Sequence, residues 1–184
     1  MTYRMFGLCL ALTMLPLSPN FADQNDPELD TLFRKLQITQ SQAEAQGITN
    51  RIWTLWREHE DDAVTELMAL GMRSVRVADL DGAIDYFSQV IRLAPEFAEG
   101  WNARATTYYN MGEYALSTSD VRVTLNLEPR HFGALSGQGM IYMQQDNPDD
   151  AVVFFERALE MNPHMYHLVP TIQRLNKIIK ERVI

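Results

Sequence analysis

Sulfhydryl chemistry is nearly missing from this chain. Its one cysteine, Cys9, lies in the first apolar stretch, so neither a disulfide framework nor a cysteine-based zinc site is available. Long apolar runs are missing too: the stretch at 5–15 holds 11 residues, against the ~20 that a membrane-spanning helix requires. Basic charge is in deficit, with 16 Lys and Arg against 24 Asp and Glu and a net charge of −8. That balance excludes the basic footprint of a nucleic-acid binder and favours solubility. Histidine is scarce, at positions 59, 131, 164 and 167. His164 and His167 are one helical turn apart, but no cysteine or nearby carboxylate completes a ligand set. Surface histidines are expected there, with no metal and no other cofactor.

Catalytic constellations are missing by the same test. The glycines at 133, 137 and 139 are followed by no lysine and preceded by no strand pattern, unlike a phosphate loop. Ser136 has no histidine and acid arranged around it as a hydrolase nucleophile requires. Asp79, Asp81 and Asp85 lack the loop length and closing glutamate of a calcium site, and read as a hairpin turn with a capping aspartate. No enzyme is expected.

The first 22 residues read as a secretory signal: Arg4, then the apolar stretch, then a breaker-rich run from 16 to 22 ending at Ala22. Cys9 lacks the small residues a lipidation site needs before it and leaves with the leader. The mature chain, 23–184, has no cysteine, and loss of Arg4 takes its net charge from −8 to −9. No stable membrane span remains in it.

What the chain does contain is a period. Pro95, Pro129 and Pro163 are spaced by 34 residues, twice over, which marks an array of helical hairpins. The units run 64–97, 98–131 and 132–165. The first carries Leu67, Leu70, Gly71, Ala83, Phe87 and Val90; the second Trp101, Ala105, Tyr108, Ser117, Val121 and Thr124; the third Leu135, Gly139, Tyr142, Ala151, Phe155 and Ala158. In the second and third units a bulky residue, a small one four later and an aromatic three after that share one helix face. The small residue lets two backbones approach. Trp101 and Tyr108 are expected to bury large rings between adjacent hairpins. Each proline stops the return helix.

These residues resemble the tetratricopeptide repeat (TPR) family, most specifically in Trp101…Tyr108…Pro129 and Leu70-Gly71…Ala83…Phe87…Pro95. Ser117 and Thr124 replace the usual alanines, and Ser74 replaces an aromatic. The resemblance implies an all-α fold, a TPR-type α-solenoid of three helical hairpins with flanking N-terminal helices and a C-terminal capping helix. Residues 23–27 read as a polar linker. Residues 28–63 read as an N-terminal helical cap, a degenerate leading repeat that shields the end of the array, because Trp53 and Trp56 fall one period before Phe87 and Val90. Residues 166–184 hold the closing helix, with Ile172, Leu175, Ile179 and Val183 inward and Arg174, Lys177, Lys180 and Arg182 on a solvated face.

The resemblance further implies that the first helix of each hairpin lines a groove. The positions facing it are Thr65, Met68, Met72, Val75 and Arg76, then Glu99, Asn102, Thr106, Tyr109 and Asn110, then Gly133, Ser136, Met140, Met143 and Gln144. Methionine thioethers suit irregular apolar ligands, and Asn102, Asn110 and Gln144 can donate to and accept from an extended backbone. Family members that grip a terminal carboxylate carry Lys, Arg and Asn where this chain has Met68, Met72, Ala103, Gly133 and Gly137, so that clamp is not expected. The expectation is an exported binding module or adaptor in the cell envelope, in the periplasm, holding a protein or peptide partner. The rival reading is a self-associating scaffold, a homo-oligomer.

Overall fold

The computed structural model describes residues 23–182; the leader expected at 1–22 and the inward Val183 lie outside them. Nine α-helices occupy the described residues: α1 (Glu28–Ile38), α2 (Gln42–Arg57), α3 (Asp62–Arg76), α4 (Leu80–Leu93), α5 (Ala98–Met111), α6 (Tyr114–Leu127), α7 (Phe132–Gln144), α8 (Pro148–Met161) and α9 (Val169–Arg182), with a short 3₁₀ turn, Tyr166–Leu168, before the last. Several starts are set by side-chain caps. Ser41, Asp61, Asp79 and Asn147 accept from the backbone N–H groups of Glu44, Ala63, Gly82 and Asp150, satisfying donors that a helix start leaves free.

The three prolines produce three copies of one turn. Helices α4, α6 and α8 each end two residues before the proline, and the capping residues Ala94, Glu128 and Asn162 have φ of −134°, −134° and −132°. Each donates its N–H to the carbonyl four residues back, at 2.8, 2.8 and 2.9 Å. Like turns between helices of 13–15 residues yield a regular stack: α3 pairs with α4, α5 with α6 and α7 with α8, each hairpin packs on the next, and α9 closes the array on α8.

Within the hairpins the small residues do what their spacing implies. A Cβ at Gly71 would lie 2.4 Å from the Phe87 ring, and one at Gly139 would lie 2.6 Å from Phe155. Ala105 and Val121 hold the matching places in the middle hairpin and share a core cluster. Replacing Gly71 with Ala therefore sets two effects against each other. Helix propensity favours alanine by about 1 kcal/mol, whereas the buried ring has nowhere to go. The clash wins: urea unfolding of Gly71→Ala should show a net loss of about 1–3 kcal/mol.

Trp101 and Tyr108 depart from expectation. Both rings are half-buried rather than enclosed. The Arg104 guanidinium lies over them, 5.2 Å from the Trp101 ring and 5.7 Å from Tyr108, and Trp101 Nε1 donates to the Pro95 carbonyl at 2.8 Å. The seam between α4, α5 and α6 is thus organised around a cation. Arg104 donates to both oxygens of the buried Asp120 at 2.7 and 2.9 Å and to Ser88 Oγ at 3.0 Å. Hydrogen bonding to Asp120 holds its guanidinium above the ordinary arginine range.

The larger departure is at the N-terminus. Helices α1 and α2 do not stack ahead of α3 as a leading repeat. Their core closes instead on Phe132 of α7, with Met161 and Met165 packed beside it. The reason lies in α3, whose outer face presents Glu66, Ala69 and Arg73 to solvent and leaves little apolar surface to shield. The hairpin and the segment before it together span all three proline turns. Gln24, buried rather than free in a linker, donates to the Glu96 carbonyl at 2.6 Å and accepts from Ala98 N–H at 3.3 Å. Arg130 donates to Asp30 at 2.6 Å and to Glu128 at 2.9 Å. Gln37 donates to the carbonyls of Glu160 and Met161. His164 is tied as well: Nε2 meets the Leu36 carbonyl at 3.1 Å and Nδ1 meets the Tyr166 hydroxyl at 2.9 Å.

Candidate functional site

The groove side of the array is formed by α3, α5 and α7, which touch in succession. Helix α2 crosses it over the first turns of α5 and α7. Trp53 sits above Gly133, where a Cβ would lie 2.6 Å from the indole. Trp56 stacks on His131, ring centroids 4.2 Å apart and planes 12° from parallel, and both indoles meet Phe132 at 5.0–5.5 Å.

Beneath them lies a buried polar network. His131 caps α7: its Nδ1 accepts from Ala134 N–H at 3.0 Å, which assigns the ring proton to Nε2, 3.1 Å from Glu99 Oε2. Glu99, only 4% exposed, also accepts from Asn102 Nδ2 at 2.8 Å. Arg57, reaching over from α2, stands 3.6 Å from its other oxygen. A buried carboxylate must be paired, and here its positive charge comes from the crossing helix.

Three openings flank α2 or continue beyond it. A crevice of about 230 Å³ between α2, α3 and α5 is lined by Trp53, Arg57, Met72, Val75, Glu99 and Thr106. On the opposite flank, about 290 Å³ is bounded by Gln46, Thr49, Trp53, Ser136, His164 and His167. A narrow cleft of about 30 Å³ between α5 and α7 runs past Asn102, Thr106, Tyr109, Gly137 and Met140.

The groove positions implied by the repeat resemblance divide accordingly. Thr106, Tyr109, Met140 and Gln144 are brought together: Gln144 donates to the Tyr109 hydroxyl at 3.4 Å, and Met140 and Thr106 share the cleft with Tyr109. Met72, half-buried against the core cluster of Val64, Met68 and Phe87, turns its remaining surface to the crevice on the other side of Thr106. Asn102 forms the floor but is buried and committed to Glu99. Arg76 and Asn110 are exposed at helix ends and line none of these openings. Two methionines need correction. Met68, 5% exposed, belongs to the core with Val64, Phe87 and Ala103. Met143 packs against the cluster of Leu168, Ile172 and Leu175 that seats the closing helix. In each case the next element claimed the thioether as filler. Glu99 was among the groove positions, but its pairing with His131 was missed; the sole sequence signal for it is that both positions stand at helix starts beside a proline turn.

Among the described residues no cluster of three metal-ligating side chains occurs, and no helix is long and apolar enough to cross a membrane.

Comparison with known proteins places this geometry. The family model described as tetratricopeptide repeat matches residues 133–165. A TPR repeat-containing protein of Rhizobium etli is 31% identical over 175 residues, covering 89% of this chain and 86% of that protein. The small glutamine-rich tetratricopeptide repeat-containing protein 2 of Saccharomyces cerevisiae is 24% identical over 107 residues, 55% of this chain and 31% of its own length. Among solved structures, the first TPR of Spaghetti (RPAP3) bound to the HSP90 peptide SRMEEVD is similar with a TM-score of 0.63 at 19% identity, over 66% of this chain and 96% of that one. MamA is similar with a TM-score of 0.52 at 22% identity, over 72% and 77% of the two chains. These two likenesses show a shared fold.

Proposed function

This chain belongs to the tetratricopeptide repeat family, and from that premise we propose that it is an exported adaptor holding an extended segment of a partner protein in the open part of its groove. The observation that carries this reading is the strip of Met72, Thr106, Tyr109, Met140 and Gln144 that α2 leaves uncovered. Thioether and phenol supply adaptable apolar contact, while the amide and hydroxyl groups supply donors and acceptors for a peptide backbone. The RPAP3 domain is solved with the peptide SRMEEVD; at the clamp positions this chain carries Met68, Met72, Ala103, Gly133 and Gly137, none of them charged. The partner is therefore held along its length through apolar contacts.

Calorimetry with a captured partner tests this. The double substitution Met72→Asp and Tyr109→Asp should weaken binding by about a hundredfold, the desolvation cost of two carboxylates in an apolar contact. Raising the salt should change little, because Met72, Thr106, Tyr109, Met140 and Gln144 carry no charge whose pairing with the partner could be screened over ~8 Å. Affinity that collapses with salt and ignores both substitutions would move the contact to a charged outer face.

The location we propose is the periplasm, on the strength of the leader-like 1–22 segment. N-terminal sequencing of the fractionated protein should find a new end near Asp23 in the soluble envelope fraction. An intact Met1 in the membrane pellet would contradict it.

A further inference from the structure

Helix α2 is seated on the array as a bound helix would be, so its side chains state what that surface accepts. Trp53 and Trp56, three residues apart, put two indoles on one face, with Arg57 next in sequence. The array answers each of them. Gly133 leaves the socket for Trp53, the His131 ring is the plate under Trp56, and the Glu99 carboxylate faces Arg57.

Three features mark the occupant as exchangeable. First, α1 and α2 carry their own core, with Leu29, Leu32, Leu36, Ile48, Ile52 and Leu55 buried between them; of the array, Phe132 is the one buried apolar side chain that joins it, beside the His131 ring under Trp56. Second, Trp56 Nε1 is a buried donor with no partner, the one such side-chain atom among the described residues. An orphaned donor costs about 1–3 kcal/mol, and undocking would return it to water. Third, several of the remaining ties face solvent, including the Gln37 hydrogen bonds and the Asp30–Arg130 pair, a class of contact worth little each.

We propose that the floor made by Glu99, His131 and Gly133 is a second binding surface. It takes an amphipathic helix of a partner protein, with aromatic residues at i and i+3 and an arginine or lysine at i+4, in exchange for the chain's own α1–α2 hairpin. The surface adjoins the Met72–Tyr109 strip, since Glu99 lines the crevice with Met72 and Gly133 lines the cleft with Tyr109 and Met140. It is read by its own probe, whose two indoles the strip does not call for. The tethered hairpin competes at an effective concentration of about millimolar, which keeps the floor covered until a better-matched helix arrives.

A fluorescein-labelled peptide of residues 42–60 serves as the probe helix, read by anisotropy against the full mature chain. Trp56→Ala in the protein loosens its own hairpin and should tighten probe binding at least about tenfold over wild type. Adding Gly133→Leu, which fills the socket, should weaken it again by about tenfold or more. A probe with both tryptophans changed to alanine should not bind. A helical, cooperatively melting Trp56→Ala chain that ignores the probe overturns the proposal, as does binding indifferent to Gly133→Leu. If Trp56→Ala does not fold, amide exchange of the wild-type chain decides. Protection of α2 at least about tenfold below that of α5–α8 supports exchange, and equal protection overturns it. A stable dimer with swapped hairpins in sedimentation equilibrium also overturns it, since the occupant is then a second copy.

Discussion

Arg104→Ala should lower the stability of the mature chain by about 3–5 kcal/mol, because it strands a buried carboxylate. Side-chain exposure is 18% for Arg104 and 5% for Asp120, so water cannot take over the two hydrogen bonds that Asp120 loses. The substitution also removes the plate between Trp101 and Tyr108 and the donor to Ser88. An internal control lies at the N-terminus. Arg51 and Glu28 form an equally short pair at 2.7 Å, but their side chains are 44% and 43% exposed, and Arg51→Ala should cost under about 1 kcal/mol. If burial rather than pairing dominates, the double variant Arg104→Met with Asp120→Leu should recover much of the loss, since a well-packed apolar pair often matches a buried ionic one. Urea melts of the three variants decide it; equal losses for Arg104→Ala and Arg51→Ala would show that Asp120 is not buried as described.

Phe87→Ala should cost about 3–5 kcal/mol by the same measurement, from lost transfer energy and an unfilled cavity. Phe87 is fully buried and its ring rests against the α3 backbone at Gly71, with Val64, Met68, Ala83, Val90 and Ala103 in the same cluster. Two helices already at glycine-limited approach cannot move closer to fill the space, so relaxation recovers little. A loss below about 1 kcal/mol would mean that the hairpin collapses around the gap.

The legible part of this fold was whatever repeats. The prolines at 95, 129 and 163 mark turns that share one backbone geometry, and the Gly71–Phe87 and Gly139–Phe155 contacts join equivalent positions of two units that stand two periods apart. The helix start in the Asp79–Asp85 turn was readable because a cap is a local interaction, and Asp79 supplies it. What was not readable is non-local. Trp53 and Trp56 fit the spacing of a leading repeat, yet amphipathic spacing says only that a face is apolar, not which surface will cover it. The covering surface, Phe132 and the two half-buried methionines Met161 and Met165, lies about a hundred residues away in sequence, and the polar outer face of α3 removed the alternative. Met68 and Met143 show the same limit on a smaller scale: an unbranched apolar side chain reads alike as filler and as groove lining until its neighbours are known. Trp101 and Tyr108 matched the packing pattern, and Arg104 between them converted a closed apolar contact into a half-open one.

Photo-cross-linking in cells tests the adaptor reading most directly. A benzophenone amino acid at position 109 stands in the uncovered groove strip, and one at position 153, an exposed site on α8, stands outside it. The predicted result is a discrete adduct with another protein from position 109 that Met72→Asp removes, and none from position 153. An adduct from position 153 alone, or an adduct from position 109 that is a dimer of this chain and ignores Met72→Asp, would contradict the account.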